Sequence, residues 1–203
     1  MRSTNSLHLG ARETRLHSAS GSTTAAKPSV RPAPAQPQGL PPANVTGRDA
    51  VLWDRDGSPT YLGTLGNASN TKFNAATSIN ERGEVVGTSQ YTDGATHSFL
   101  WTRATGMQDI GTLPGAFVTI AGCCHTINNR DEVVGFSIDG NGPTAFVWRD
   151  RVITDLNTLI PADSPLHLLF ADSINDAGEI VGQGCVMPAC TELHAYRATP
   201  KWR

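Results

Sequence analysis

Two groups of cysteine and histidine are the first candidates for chemistry. Cys123-Cys124-His125 form one; Cys185 and Cys190, followed by His194, form the other. Thiolates and imidazoles at such spacing suit zinc, which takes four ligands in a tetrahedron. The paired Cys-x-x-Cys spacing of structural zinc sites is absent, however. Four cysteines allow three pairings. The favoured reading is a Cys185–Cys190 disulfide that staples a loop between neighbouring strands, with Pro188 helping the turn; free thiols and metal are the alternatives. A vicinal Cys123–Cys124 bond would be strained. No metal or other cofactor is expected.

Glu84, Glu132 and Glu179 stand at one position of a recurring segment. Paired carboxylates perform general acid–base work in glycoside hydrolysis. A carboxylate that recurs once per unit is better explained by holding the unit together, facing solvent or a backbone amide. Asn80, Asn128 and Asn175 likewise read as side chains that bond a turn backbone. Trp53, Trp101 and Trp148 have the rings to stack on sugars, yet their equivalent placement beside Phe99 and Phe146 reads as packing between units. Asp54-Arg55-Asp56-Gly57 resembles the opening of a calcium loop but lacks the later oxygen ligands and the closing glutamate. Asn44-Val45-Thr46 and Asn67-Ala68-Ser69 match the glycosylation sequon. There is no Gly-x-Ser-x-Gly elbow, phosphate-binding loop or His-Glu-x-x-His, so no catalytic residue is assigned and the chain is not expected to be an enzyme.

These residues are positioned by a repeat. Ser78-Ile79-Asn80-Glu81-Arg82-Gly83-Glu84-Val85-Val86-Gly87 recurs as Thr126-Ile127-Asn128-Asn129-Arg130-Asp131-Glu132-Val133-Val134-Gly135. It recurs again as Ser173-Ile174-Asn175-Asp176-Ala177-Gly178-Glu179-Ile180-Val181-Gly182. Between the copies stand Val51-Leu52-Trp53, Phe99-Leu100-Trp101 and Phe146-Val147-Trp148. A third marker is Leu62-Gly63-Thr64-Leu65, then Ile110-Gly111-Thr112-Leu113, then Leu156-Asn157-Thr158-Leu159. The period is about 48 residues, the size of a four-stranded antiparallel propeller blade.

Each unit reads as four short strands. The first ends at the Ile-Asn pair, and a turn carrying Gly83, Asp131 or Gly178 follows, at a position that suits φ > 0. The Glu-Val-Val-Gly run ending at Gly87, Gly135 or Gly182 is the second strand, the Phe-Leu-Trp run the third, and the fourth leads into Gly-Thr-Leu. Alternation in Met107–Gly111 and Val152–Leu156 supports strands, and no window longer than about ten residues has helical periodicity. The expected fold is all-β and propeller-like, with a stacked solenoid or sandwich as runner-up. The chain begins with strands three and four of one unit, runs through two whole units, and ends with strands one to three of another. About three blades fall short of the four or more that ordinarily close a ring. Open edge strands would then invite self-association.

These units resemble the bacterial HAF repeats, named for a His-Ala-Phe step before Leu-Trp. The step appears here as His97-Ser98-Phe99-Leu100-Trp101, Thr144-Ala145-Phe146-Val147-Trp148 and His194-Ala195-Tyr196. Gln108–Leu113 matches the family's Asp-Leu-Gly-Thr-Leu element, and Ser173–Gly178 its Gly-Ile-Asn-Asp-x-Gly. The resemblance covers about residues 50–200. It implies an extracellular or cell-surface location and carries over no established enzymatic activity. No signal peptide is visible: Arg2, Arg12 and Arg15 are not followed by an apolar run of about 7–15 residues. The missing signal and low repeat number imply a truncated member.

Residues 1–44, Ser/Thr-rich and then Pro/Ala-rich, read as a disordered spacer ahead of a β-repeat domain at 45–203, since they hold no aromatic side chain. Residues 1–44 carry five Lys/Arg against one acidic group, and residues 45–203 eleven against seventeen. A mildly acidic repeat region lacks the basic stripe that displaces counterions from phosphates, which disfavours nucleic acid as a partner. No stretch approaches the roughly 18 apolar residues of a membrane span. The expected function is that of a scaffold or interaction module acting through its variable loops at 66–75, 114–122 and 160–170, with protein or carbohydrate as ligand. The alternatives are a carbohydrate-binding or carbohydrate-active domain using the glutamates, and a truncated, non-functional remnant.

Overall fold

A computed structural model describes residues 7–9, 50–66, 73–91, 94–122 and 125–201. Within them the chain is all-β, with one 3-10 turn at Leu156–Thr158. Strand β1 is Leu7–Leu9. Strands β2 (Val51–Trp53) and β3 (Pro59–Tyr61) form a hairpin. Strands β4 (Asn74–Ile79), β5 (Val85–Gln90), β6 (Thr96–Thr102) and β7 (Gly106–Asp109) form an antiparallel meander. Strands β8 (Val118–Ile120), β9 (Val133–Asp139), β10 (Gly142–Arg149) and β11 (Val152–Asp155) form a second. A third contains β12 (Leu166–Ile174), β13 (Ile180–Val186) and β14 (Leu193–Pro200).

The strands number two in the first unit, four in each of the next two, and three in the last; β4 and β12 end at the Ile-Asn pair as expected, whereas β8 ends at Ile120 and Ile127 makes only an isolated bridge to Val133. One parallel pairing, Thr96 to Val118, joins the two middle meanders into an eight-stranded sheet. A further strand was not anticipated. Leu7–Leu9, inside the segment read as a spacer, lies antiparallel to β14 with Leu7 opposite Pro200 and Leu9 opposite Ala198. It takes the fourth-strand place that β7 and β11 take in the middle units. The rest of that spacer lies outside the described residues. Among the described residues the sheets form neither a closed barrel nor a propeller ring.

Alternation along the strands sends side chains to opposite faces, so each core lies between two successive units. Ala50, Leu52, Leu62 and Leu65 of the first unit pack on Val85, Phe99 and Trp101 of the second. Val86, Leu100, Ile110 and Leu113 pack on Ala121, Ile127, Val133, Phe146 and Trp148. Val134, Val147 and Leu156 pack on Leu168, Ile174, Ile180 and Tyr196. In each pair of adjacent valines, one therefore faces the preceding unit and the other the following unit. In each Phe-Leu-Trp step, the aromatic residues face back and the aliphatic residue faces forward.

The repeated glycine of the second strand has a steric cause. A β-carbon at Gly87, Gly135 or Gly182 would lie inside the envelope of the carbonyl oxygen of Ala75, Ile120 or Phe170 on the adjacent strand. For Gly87 and Gly182 the ladder nearby shifts register, at Ala76/Ser78 and Ala171/Ser173, which brings the backbones together.

Candidate functional site

The first hairpin turn of each of the last three units is built on its asparagine. Asn80 Oδ1 accepts from the backbone N–H of Arg82 and of Glu84, each at 3.0 Å. Asn128 Oδ1 accepts likewise from Arg130 and Glu132, at 2.9 and 3.0 Å, and Asn175 Oδ1 from Glu179 at 2.9 Å. This is the local side-chain-to-backbone bonding expected of asparagine in a turn. Gly83, Asp131 and Gly178 follow with φ of 76, 62 and 78°. Asp131 shows that the position tolerates the short polar side chain most at ease in the left-handed region.

The other half of each carboxamide does what the sequence did not disclose. Asn80 Nδ2 donates to Glu84 Oε2 at 2.5 Å and to the main-chain oxygen of Asn128, one unit along, at 3.1 Å. Asn128 Nδ2 repeats the pattern, with Glu132 Oε2 at 2.6 Å and the main-chain oxygen of Asn175 at 3.0 Å. Asn175 Nδ2 donates to Glu179 Oε2 at 2.9 Å. The neighbouring positions cross-link in the same direction: Glu81 N–H donates to Asn129 Oδ1, and Asn129 N–H and Nδ2 donate to the two carboxylate oxygens of Asp176. Those amides hold the Asp176 carboxyl below its ordinary range. Arg82 pairs with Asp131, again between units.

The repeated glutamates are therefore committed to the turns. Glu84 also accepts from the Arg82 guanidinium. Glu132 is buried, and Arg130 at 2.8 Å and Arg149 at 3.5 Å supply the countercharge that a desolvated carboxylate requires. The ladder of turns borders a shallow groove of about 390 Å³, lined by Asn80, Asn128 and Asn175 together with Ile127, Ile174 and His125. A second cavity, of about 130 Å³, lies at the opposite end of the strands and includes Asp139, Asp155, Ser137 and Thr144 in its wall. Its two carboxylates accept from Asn141 and Asn157 respectively.

Cys185 and Cys190 form a disulfide in the β13–β14 connection. Cys185 is buried, Cys190 N–H donates to the Val186 carbonyl at 2.9 Å, and Pro188 follows a cis bond in the intervening turn. Cys123 and Cys124 lie outside the described residues. Their neighbour His125 has φ of 58° and serves the next unit through its carbonyl, which accepts from Ile174 N–H at 3.0 Å and from Ser173 Oγ at 3.4 Å.

The three equivalent tryptophans are not equivalent in place. Trp101 and Trp148 are buried between units, at 4% and 9% exposure, whereas Trp53 is 64% exposed. The packing expected for all three thus fails at Trp53, because its ring faces backwards and the described residues place no unit behind it. The histidine of the His-Ser-Phe step had no expected role. His97 Nδ1 lies 2.7 Å from Asp109 Oδ2, and its ring stacks on Tyr91 at 4.8 Å, tying β6 to β7 and to the preceding turn. At the matching step of the last unit the Tyr196 phenol donates to the Phe170 carbonyl at 2.9 Å. Burial, with the Asp172 carboxylate adding to it, pushes that phenol up.

Among the described residues no group of three or more His, Cys, Asp or Glu is arranged to hold a metal ion, and no helix is long and apolar enough to cross a membrane. No family model, no curated protein and no solved structure matches this chain.

Proposed function

We propose that this chain is a β-repeat scaffold whose recurring polar residues bind unit to unit and whose connecting loops meet partners. The observation that carries this reading is the asparagine–glutamate ladder. Side chains that would otherwise be candidates for acid–base chemistry are spent on the turn and on the next unit's backbone. A core lies between each successive pair of units, as it does between propeller blades. On this reading the chain is propeller-like and akin to the HAF repeats, a kinship supported by the motifs at 78–87, 126–135 and 173–182. An oxidising location, extracellular or at the cell surface, suits the Cys185–Cys190 bond.

In an antiparallel meander the second-to-third turn and the connection to the next unit emerge at the same end of the strands. The connecting parts of the variable segments, residues 114–117 before β8 and 160–165 before β12, and the disulfide loop between β13 and β14 therefore share one end, opposite the asparagine turns. That end is where a protein or carbohydrate partner binds. Exchanging the parts of the variable segments that lie outside the strands, residues 66–73, 114–117 and 161–165, for Gly/Ser segments of equal length is expected to abolish capture of partners from the source organism's culture medium while the melting transition survives. Unchanged capture after all three exchanges would refute the reading. Glu84, Glu132 and Glu179 changed together to Gln should lower the melting temperature; loss of a hydrolytic activity without loss of stability would refute the structural assignment of the glutamates.

A further inference from the structure

The two ends of the stack are finished differently. On the outer face of the last unit, the position that elsewhere holds a forward-facing Leu100 or Val147 is Arg197, exposed to solvent. Beside it Gln183 Nε2 donates to Asp172 Oδ2 at 3.3 Å. Val181, 44% exposed, lies opposite Arg197, and Leu193, 59% exposed, lies further along the strand of Arg197. This is the polar finish that terminal repeats carry. Among the described residues the first unit has no such finish. Trp53 and Pro59 face each other across the β2–β3 ladder, as do Val51 and Tyr61; Val51, Trp53 and Pro59 hold the positions at which Phe99, Trp101 and Met107 of the next unit pack on the unit before. Trp53 is the most exposed large apolar side chain described, at 64%.

The apolar surface continues round the edge of the hairpin. Strand β2 pairs with β3 alone, so its other edge is unpaired among the described residues. Alongside that edge runs an apolar groove of about 240 Å³ lined by Val51, Leu52, Leu62, Ile79 and Val85. Ile79 is itself half exposed. The groove is the open edge of the interface between the first and second units, and the Trp53 face would continue the series behind it.

We infer that this face binds the same face of a second copy, giving a two-fold dimer with Trp53 at its centre. The choice of partner follows from the asymmetry of the ends. A head-to-tail contact would set Trp53 against Arg197 and the Gln183–Asp172 pair, and would repeat without limit. A face-to-face contact joins apolar to apolar, closes after two copies, and leaves the polar ends outward. Tryptophan near the centre of an interface is the residue type that most often dominates its energy. The inference deepens the scaffold reading, because a dimer would direct two loop ends outward from one assembly.

The test is sedimentation equilibrium of the full chain, alongside Trp53→Asp and Val181→Asp. The wild type and Val181→Asp are expected to sediment at twice the chain mass. Trp53→Asp should be monomeric, with its dissociation constant raised at least about thirtyfold and its melting transition still cooperative. A wild type that stays monomeric at every concentration would overturn the inference and leave residues 10–49 of the same chain as the occupant of the face. Open-ended growth, or dissociation by Val181→Asp, would overturn it in favour of head-to-tail stacking. Loss of partner capture in a Trp53→Asp monomer bears on the dimer, whereas loss in a loop-exchanged dimer bears on the scaffold reading, so the two failures are distinguishable.

Discussion

Replacing Asn128 with alanine should destabilise the protein far more than the same change at Asn175, although the two occupy one position of the repeat. Asn128 is buried at the middle of the ladder and makes four hydrogen bonds: two accepted from its own turn, one donated to Glu132, and one donated to the next unit. A neutral bond contributes about 1 kcal/mol net and one to a charged group about 2; stranding a buried partner adds to the loss. The expected cost is about 4–5 kcal/mol. Asn175 is exposed at the end of the ladder and bonds Glu179 alone, so its loss should cost about 1–2 kcal/mol. Asn80 is half-buried and should fall between them. Urea melts followed by far-ultraviolet circular dichroism would measure all three under one set of conditions. Asn128→Asp is the companion variant. It keeps the Oδ1 acceptor but sets a carboxylate against Glu132 and the Asn175 carbonyl, so it should be no more stable than the alanine variant at neutral pH. Costs equal within about 0.5 kcal/mol at all three positions would refute the reasoning, since each asparagine would then serve only its own turn.

Further outcomes follow from the same geometry. Gly135→Ala should cost at least about 3 kcal/mol or prevent folding, because its new methyl group meets the Ile120 carbonyl; a melt within about 1 kcal/mol of wild type would contradict the close approach. Reduction of Cys185–Cys190, or Cys185→Ser with Cys190→Ser, should cost about 2 kcal/mol for so short a loop, read as a lower urea midpoint. Tyr196 is held neutral in the fold beyond the pH at which a free phenol ionises. Its contribution is complete below about pH 10 and declines as pH rises through and beyond that value; Tyr196→Phe should flatten the alkaline fall in melting temperature. If the fall is unchanged, other groups cause it.

Much of the architecture was legible because each marker has a strong local cause. The period exposed the units, the Val-Val and Phe-Leu-Trp runs exposed the strands, and Gly83, Asp131 and Gly178 exposed a turn with positive φ. Spacing located the disulfide, since Cys185 and Cys190 flank one short connection between adjacent strands. What stayed hidden depends on contacts between units. A turn asparagine advertises bonds to its own backbone, yet nothing local shows that Nδ2 reaches a carbonyl about 48 residues away. The angle between successive sheets has no sequence signature either, so the period suggested blades without deciding whether they close. Trp53 repeats the packing motif and is exposed all the same, because burial depends on what lies behind it. Leu7–Leu9 was obscured by the Ser/Thr-rich composition around it, and its pairing to β14 comes from the far end of the chain.

The most direct test of the ladder is hydrogen exchange at the asparagine side chains, followed by NMR on uniformly labelled protein. The structure predicts that the Asn128 carboxamide protons exchange only with global unfolding, that those of Asn80 are partly protected, and that those of Asn175 exchange fast. Rapid exchange at all three would mean that the repeated asparagines do not join unit to unit, and the scaffold account would lose its foundation.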